Sequence, residues 1–187
     1  MSGSRKKVIE TAQRLMRERG YKATGIKEIL EKSQVSRSNF YYHFTSKRQL
    51  AEAVIAVWKD NLQSVFSSIV EQELTYREQI ELFVQIFIDT QKHDAFTVCP
   101  FGRLAIELGN SEPTLHKLVN QVFTEFHREV SQLIQAGIDN GEFKQETNAE
   151  MLANALLVAI QGGIILSHAQ GNAKAMAETC RYILDNA

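Results

Sequence analysis

Apolar residues recur along the chain at the three- and four-residue spacing of α-helices, and strand-like alternation is almost absent, so the pattern predicts an all-α protein. Near the N-terminus Val8, Ala12, Leu15 and Met16 make one stripe, and Gly20 stands where a C-terminal glycine stops a helix. A short second helix is expected from about Ile26 to Lys32, with Gly25 and Glu28 at the cap and third positions. Gln34 and Val35 make a tight turn, and Ser36 caps a third helix over Arg37–Phe44. Ser46 with Gln49 forms a capping box for a long fourth helix that reaches about Val70. Two adjacent short helices joined by a tight turn and braced by a first helix form a helix-turn-helix.

Longer helices follow. One covers about Tyr76–Lys92, and a short one around Phe101–Leu108 ends at Gly109 and Asn110. Ser111-Glu112-Pro113 opens a long helix, since proline suits a first turn, and Asn140-Gly141 closes it. Thr147 with Glu150 caps a helix to about Ala169, and Gly171-Asn172 turns into the last. This makes about nine helices, in a small N-terminal head (1–47) and a larger body (48–187) divided near Lys47. A chain of 187 residues that is 44% hydrophobic can bury cores for both.

Charge sharpens that division. Residues 1–48 hold 12 Lys+Arg against 4 Asp+Glu, a net +8, while the remainder holds 9 against 18, a net −9. A cationic head on an anionic body suits a phosphate-binding head. No run of 18 apolar residues and no apolar leader stand out, so a cytoplasmic protein without a membrane partner is expected. Cys99 and Cys180 are far apart and in no metal-ligand spacing, which suits a reducing compartment and predicts no bound metal. Glycine-rich phosphate loops, nucleophile elbows and His-Glu-x-x-His strings are missing, so neither catalysis nor a cofactor is expected.

The third helix carries the chemistry. Phe40 and Phe44, four apart, fall on one face as core anchors. Arg37, Ser38, Asn39, Tyr41, Tyr42 and His43 are left as donors and aromatic hydroxyls, the groups that read a major groove: Arg pairs with guanine, Asn with adenine, and hydroxyls reach phosphate or base edges. Lys47, in the first turn of the next helix, sets an ammonium beside free backbone N–H groups where a phosphate can dock.

The stretch from Gly20 to Leu50, above all Phe40-Tyr-Tyr-His-Phe44 followed by Lys47, resembles the DNA-binding signature of the TetR family. That resemblance implies a ligand-responsive repressor that binds a palindromic operator in double-stranded DNA as a homodimer. It places Tyr41, Tyr42, His43 and Lys47 on the DNA backbone, with Ser36 at the helix start and Arg37, Ser38 and Asn39 near bases. Gly25 departs from the signature, where a hydroxyl residue is common, so Thr24 or the Gly25 N–H is expected to take the phosphate there.

The resemblance also implies a dimer interface in the last two helices. On the first of these Leu152, Ala155, Leu156, Ala159, Ile160, Gly163, Ile164 and Ser167 form a stripe rich in small residues. The last helix offers Met176, Cys180 and Ile183 at helical spacing. An effector cavity is implied among the middle helices, whose aromatic residues are Trp58, Phe66, Phe83, Phe87, Phe96, Phe101, Phe123 and Phe126. Cys99 and Leu104 belong to the same candidate wall, and such cavities favour small apolar or aromatic effectors. Cys99, four residues from Arg103, also leaves open a thiol-based redox-sensing regulator.

Overall fold

A computed structural model describes residues 3–93, 98–109 and 111–187, and all regular elements among them are helices. In order they are α1 (Gly3–Arg19), α2 (Ile26–Ser33), α3 (Arg37–His43), α4 (Lys47–Val70), α5 (Tyr76–His93), α6 (Pro100–Leu108), α7 (Pro113–Asp139), α8 (Ala149–Gln170) and α9 (Lys174–Asp185). The chain divides into two compact units, residues 1–62 with 99–122 and residues 63–98 with 123–187.

In the first unit α1 buries Val8, Ile9, Ala12, Leu15 and Met16 and ends where Gly20 takes φ +86°, a left-handed turn that glycine makes without strain. Gln34, with φ 55°, is the non-glycine residue that makes the same kind of turn after α2. Phe40 of α3 and Phe44, which caps α3 in extended backbone one residue past its end rather than closing it as expected, are buried with Leu50, Val54 and Trp58 of α4. Full burial of each phenylalanine contributes roughly 1.5–3 kcal/mol, enough to decide which face of so short a helix turns inward. The α6 residues Phe101, Leu104 and Leu108 and the α7 residues Leu115 and Val119 are buried in the same unit. The Phe101 ring meets Trp58 edge-on, with centroids 6.1 Å apart.

The second unit is built around aromatic rings. Phe66, Phe83 and Phe126 lie in mutual contact with centroids 5.2–6.1 Å apart, and Phe87 joins Phe83 at 5.0 Å. Arg77 fastens the start of α5. Its guanidinium lies over Phe143 at 4.4 Å and donates to the Glu142 and Leu184 carbonyl oxygens at 3.0 and 3.1 Å. Thr75 and Glu78 form a reciprocal capping box that the sequence reading did not single out. At α8 the cap is Asn148, whose Oδ1 accepts the Met151 N–H at 3.0 Å, rather than the expected Thr147. The expected box at α4 is half formed: Ser46 accepts the Gln49 N–H, but Gln49 Oε1 accepts from Thr45.

Helix α8 is long and apolar enough to cross a membrane, with a window of mean hydropathy 1.7. Its composition has a plainer reason in the packing. Leu152, Leu156, Ile160 and Ile164 are buried on one face, and α9 packs closely against the helix. Gly163 makes that approach possible, because a Cβ there would lie 2.6 Å from Met176 Cβ and 3.2 Å from its Cα. Gly163→Ala is expected to destabilise the fold by about 1–3 kcal/mol through overpacking. The better helix propensity of alanine offsets at most about 1 kcal/mol of that. Thermal unfolding of the variant checks this, and an unchanged or raised midpoint would show that α8 and α9 part without cost.

Candidate nucleic-acid interface

Helix α3 starts because Ser36, in extended backbone, turns its Oγ to accept the Asn39 N–H at 3.3 Å. With Phe40 and Phe44 inward, Arg37, Ser38, Asn39, Tyr41 and Tyr42 are exposed, Tyr42 at 83%. His43 is half-buried, and its ring stacks edge-on against Tyr42 at 4.9 Å. The Arg37 guanidinium lies 5.8 Å from the centre of the Tyr41 ring, so the two share one patch of surface. Ser4 of α1 reaches this helix too. Its hydroxyl donates to Asn39 Oδ1 at 3.3 Å and lies 3.4 Å from His43 Nε2. Ser4 was not singled out in the sequence, because a contact across 35 positions leaves no local pattern.

Lys47 opens α4, where the first N–H groups lack partners within the helix. Its ammonium sits 4.3 Å above the Tyr21 ring and donates to the Lys22 carbonyl oxygen at 3.4 Å. Partial burial pulls its pKa below the ordinary lysine value, against the upward pull of the Glu107 and Glu112 carboxylates. Tyr21 moves the other way. Burial first, and then the bond its hydroxyl donates to Glu112 at 3.0 Å, push its phenol up to about 12.

Of the two groups expected at the start of α2, Thr24 turns inward. It is fully buried and its hydroxyl donates to the Gly20 carbonyl oxygen at 2.7 Å, which spends its hydrogen on the turn. Gly25 is the N-cap of α2 with no side-chain bond, in extended backbone with open space where a Cβ would stand. Glu28 does not close a capping box. It pairs with Lys32 and Arg19, each at 2.9 Å, and the Lys32 bond first holds its carboxyl below the usual range.

The candidate effector residues fall into two sets. Trp58, Cys99, Phe101 and Leu104 belong to the first unit, and Phe66, Phe83, Phe87, Phe123 and Phe126 to the second, while Phe96 lies outside the described residues. Cys99 caps α6, its Sγ accepting the Gly102 N–H at 3.5 Å. The Trp58 indole N–H is buried without a hydrogen-bond partner among the described residues.

The candidate interface residues Leu152, Leu156, Ile160, Gly163, Ile164, Ser167, Met176 and Cys180 are buried within the chain itself. Burial pushes the Cys180 thiol up to about 11. Ala159 and Ile183 are half-buried, and Ala155 is exposed. The outward face of α8 instead carries Met151, Val158 and Ile165, 59–72% exposed, with Leu166 and, on α9, Tyr182. The sequence signal for this row was three large apolar residues spaced seven apart, beside the polar stripe of Asn154, Gln161 and His168.

Two family profiles match the chain. The profile described as bacterial regulatory proteins, tetR family, matches residues 8–54, and the profile described as tetracyclin repressor-like, C-terminal domain, matches residues 77–183. An HTH-type transcriptional regulator of Lactococcus lactis subsp. lactis is 26% identical over 170 residues, 89% of this chain and 84% of its own. The HTH-type transcriptional repressor DhaR of Mycobacterium sp. (strain GP1) is 22% identical over 162 residues, 86% of this chain and 80% of its own. The crystal structure of regulatory protein TetR from Rhodobacter sphaeroides superposes with a TM-score of 0.90 at 20% identity over 99% of both chains, which shows a shared fold. With both its helix-turn-helix head and most of its body matched, the chain belongs to the TetR family of DNA-binding transcription regulators.

Proposed function

We propose that this regulator is a repressor that grips a palindromic operator as a homodimer and releases it when a small apolar or aromatic effector binds the body. The observation that carries the reading is the exposed face of α3, where Arg37, Ser38, Asn39, Tyr41 and Tyr42 stand clear of the core. Arg37 and Asn39 carry the two side chains best matched to guanine and adenine edges. Tyr41, Tyr42, His43 and Lys47 hold the DNA backbone, and the Gly25 N–H at the start of α2 takes a further phosphate. The net +8 of the first 48 residues supplies the sequence-independent attraction.

The sense of regulation is supported by relatives whose names call them repressors, DhaR and KstR2 of Rhodococcus jostii. Pairing of two copies is supported by the outward row Met151, Val158 and Ile165, spaced seven apart on one side of α8. An apolar row of this kind marks a partner surface, and a two-fold axis presents two heads to the two halves of a palindrome. Effector binding is supported by the Trp58 N–H. A buried donor left without an acceptor costs about 1–3 kcal/mol, which a ligand carrying a carbonyl or ether oxygen recovers. A cytoplasmic site of action follows from the DNA partner and suits two free cysteines.

Lys47→Ala is expected to weaken binding to every duplex alike and to make the salt slope shallower by about one unit, whereas Arg37→Ala relaxes base preference at one operator position at a cost of about 1–3 kcal/mol. Operator titrations over a salt series measure both, and an unchanged slope in the Lys47 variant would remove its phosphate contact. Val158→Glu should yield monomers in sedimentation velocity, since it places charges in the middle of the apolar row. A dimer that survives it puts the interface elsewhere.

A further inference from the structure

The turn between α1 and α2 poses an accounting problem for its backbone. Gly20 ends α1 by donating to the Met16 carbonyl oxygen, the Thr24 N–H returns to the Tyr21 carbonyl oxygen, and the Thr24 hydroxyl takes the Gly20 carbonyl oxygen. The Tyr21 and Lys22 N–H groups find no acceptor within the turn, and both go to one side chain. Glu107 of α6, more than eighty positions along the chain, accepts the Tyr21 N–H on Oε2 at 2.8 Å and the Lys22 N–H on Oε1 at 2.6 Å. Bonds from two amides to a full charge are stronger than neutral ones. Room for the carboxylate exists because residue 20 is glycine, since a Cβ there would collide with the Glu107 carboxyl oxygen. Glu112 adds a third tie through the Tyr21 hydroxyl at 3.0 Å.

The same two residues receive the Lys47 ammonium. It rests over the Tyr21 ring and donates to the Lys22 carbonyl oxygen. Glu107 therefore holds the dipeptide by its two N–H groups, while the Tyr21 ring and the Lys22 carbonyl oxygen seat the cation that opens α4. We propose that Glu107 is a positioning residue for DNA binding: by chelating the Tyr21 and Lys22 N–H groups it holds the seat from which Lys47 meets a phosphate. The inference rests on the phosphate contact of Lys47 and adds to it the residue of the body that keeps the contact in place. Glu107 acts through the turn, and α6 thereby bears directly on the strength of the grip.

The sign of the effect separates this from plain electrostatics. Glu107→Gln removes a negative charge from the neighbourhood of a DNA-binding surface, so charge alone predicts tighter binding. Loss of the seat predicts the reverse, because the Gln amide keeps one acceptor and turns a donor toward the second N–H. Glu107→Asp keeps the charge but is one methylene too short to hold both amides.

The full-length protein is titrated against a mixed-sequence DNA duplex over a salt series, as the parent, Glu107→Gln, Glu107→Asp, Lys47→Ala and the Glu107→Gln/Lys47→Ala double variant. Both Glu107 variants are expected to bind several-fold more weakly at low salt and to lose about 0.9 from the magnitude of the salt slope, the share of one phosphate. In the Lys47→Ala background the Glu107→Gln change should add nothing, the mark of two residues acting through one contact. Tighter binding by Glu107→Gln with the parent slope, or a full additional loss on top of Lys47→Ala, overturns the proposal. A Lys47→Ala slope equal to the parent's overturns the phosphate reading, and the proposal with it, whereas a shallower Lys47→Ala slope beside unchanged Glu107 variants overturns the proposal alone. Should Glu107→Gln lose its helical circular dichroism, the charge-conserving Asp variant carries the test.

Discussion

A helix of seven residues has two turns in which to settle which way it faces, and in α3 the matter is decided by Phe40 and Phe44. Phe44 stands just past the helix end in extended backbone, and both rings are buried with centroids 5.7 Å apart. So short a helix would not persist alone in water, and its order comes from packing rather than propensity. Once those two rings are inside, the polar side chains of α3 have only one direction left. The cap at Ser36, the left-handed turn at Gln34 and the brace of α1 all serve to deliver this helix at a fixed angle.

The head was legible in the sequence because its signals are local. Ser36 three before Asn39, Phe40 four before Phe44, and Gly20 just past an apolar stripe each act over one turn of chain, and each reads in the structure as it does in the letters. What was hidden is what joins distant segments. Nothing near Tyr21 announces that its N–H is answered by Glu107, or that Ser4 lies against Asn39 and His43. The direction of the Thr24 hydroxyl was hidden for a related reason: a hydroxyl before a helix suits a cap or a phosphate equally well, and only the packed turn sends it back to Gly20.

In the body the difficulty was the reverse, with too many apolar positions rather than too few. Helix α8 carries only a narrow polar stripe, Glu150, Asn154, Gln161 and His168, with apolar positions on either side of it, so periodicity marks little of its outside. The stripe richest in small residues suggested close approach to a second helix, and close approach does occur there, at Gly163 against Met176 of the same chain. The row left outside, Met151, Val158 and Ile165, is just as apolar and is spaced seven apart, but it lacks the small residues that signal close helix approach. The aromatic rings divide in the same way. Phe66, Phe83 and Phe126 pack on one another, whereas the Trp58 N–H has no partner among the described residues. Residue type alone does not separate those two situations.

The carboxylates beside the cationic head need a physical reason, since a surface that attracts phosphate gains nothing from negative charge nearby. The turn supplies it: Tyr21 is buried, and leaving its N–H without the carboxylate costs more than a weak repulsion screened by salt within roughly 10 Å, while the exposed Lys22 N–H gains a charged acceptor. A carboxylate is the side chain that accepts twice from one position, and at Glu107 the backbone lies within reach of both oxygens. The same charges keep Lys47 ready. Burial pulls its pKa down and Glu107 and Glu112 pull it up, while its partners among the described residues are a ring face and a carbonyl oxygen at 3.4 Å. A phosphate, with its full charge, offers that ammonium a better partner than either. The head therefore tolerates local acidity because the acid holds the turn and the cation in register, while attraction for DNA over longer range comes from the excess of lysine and arginine along the rest of its first 48 residues.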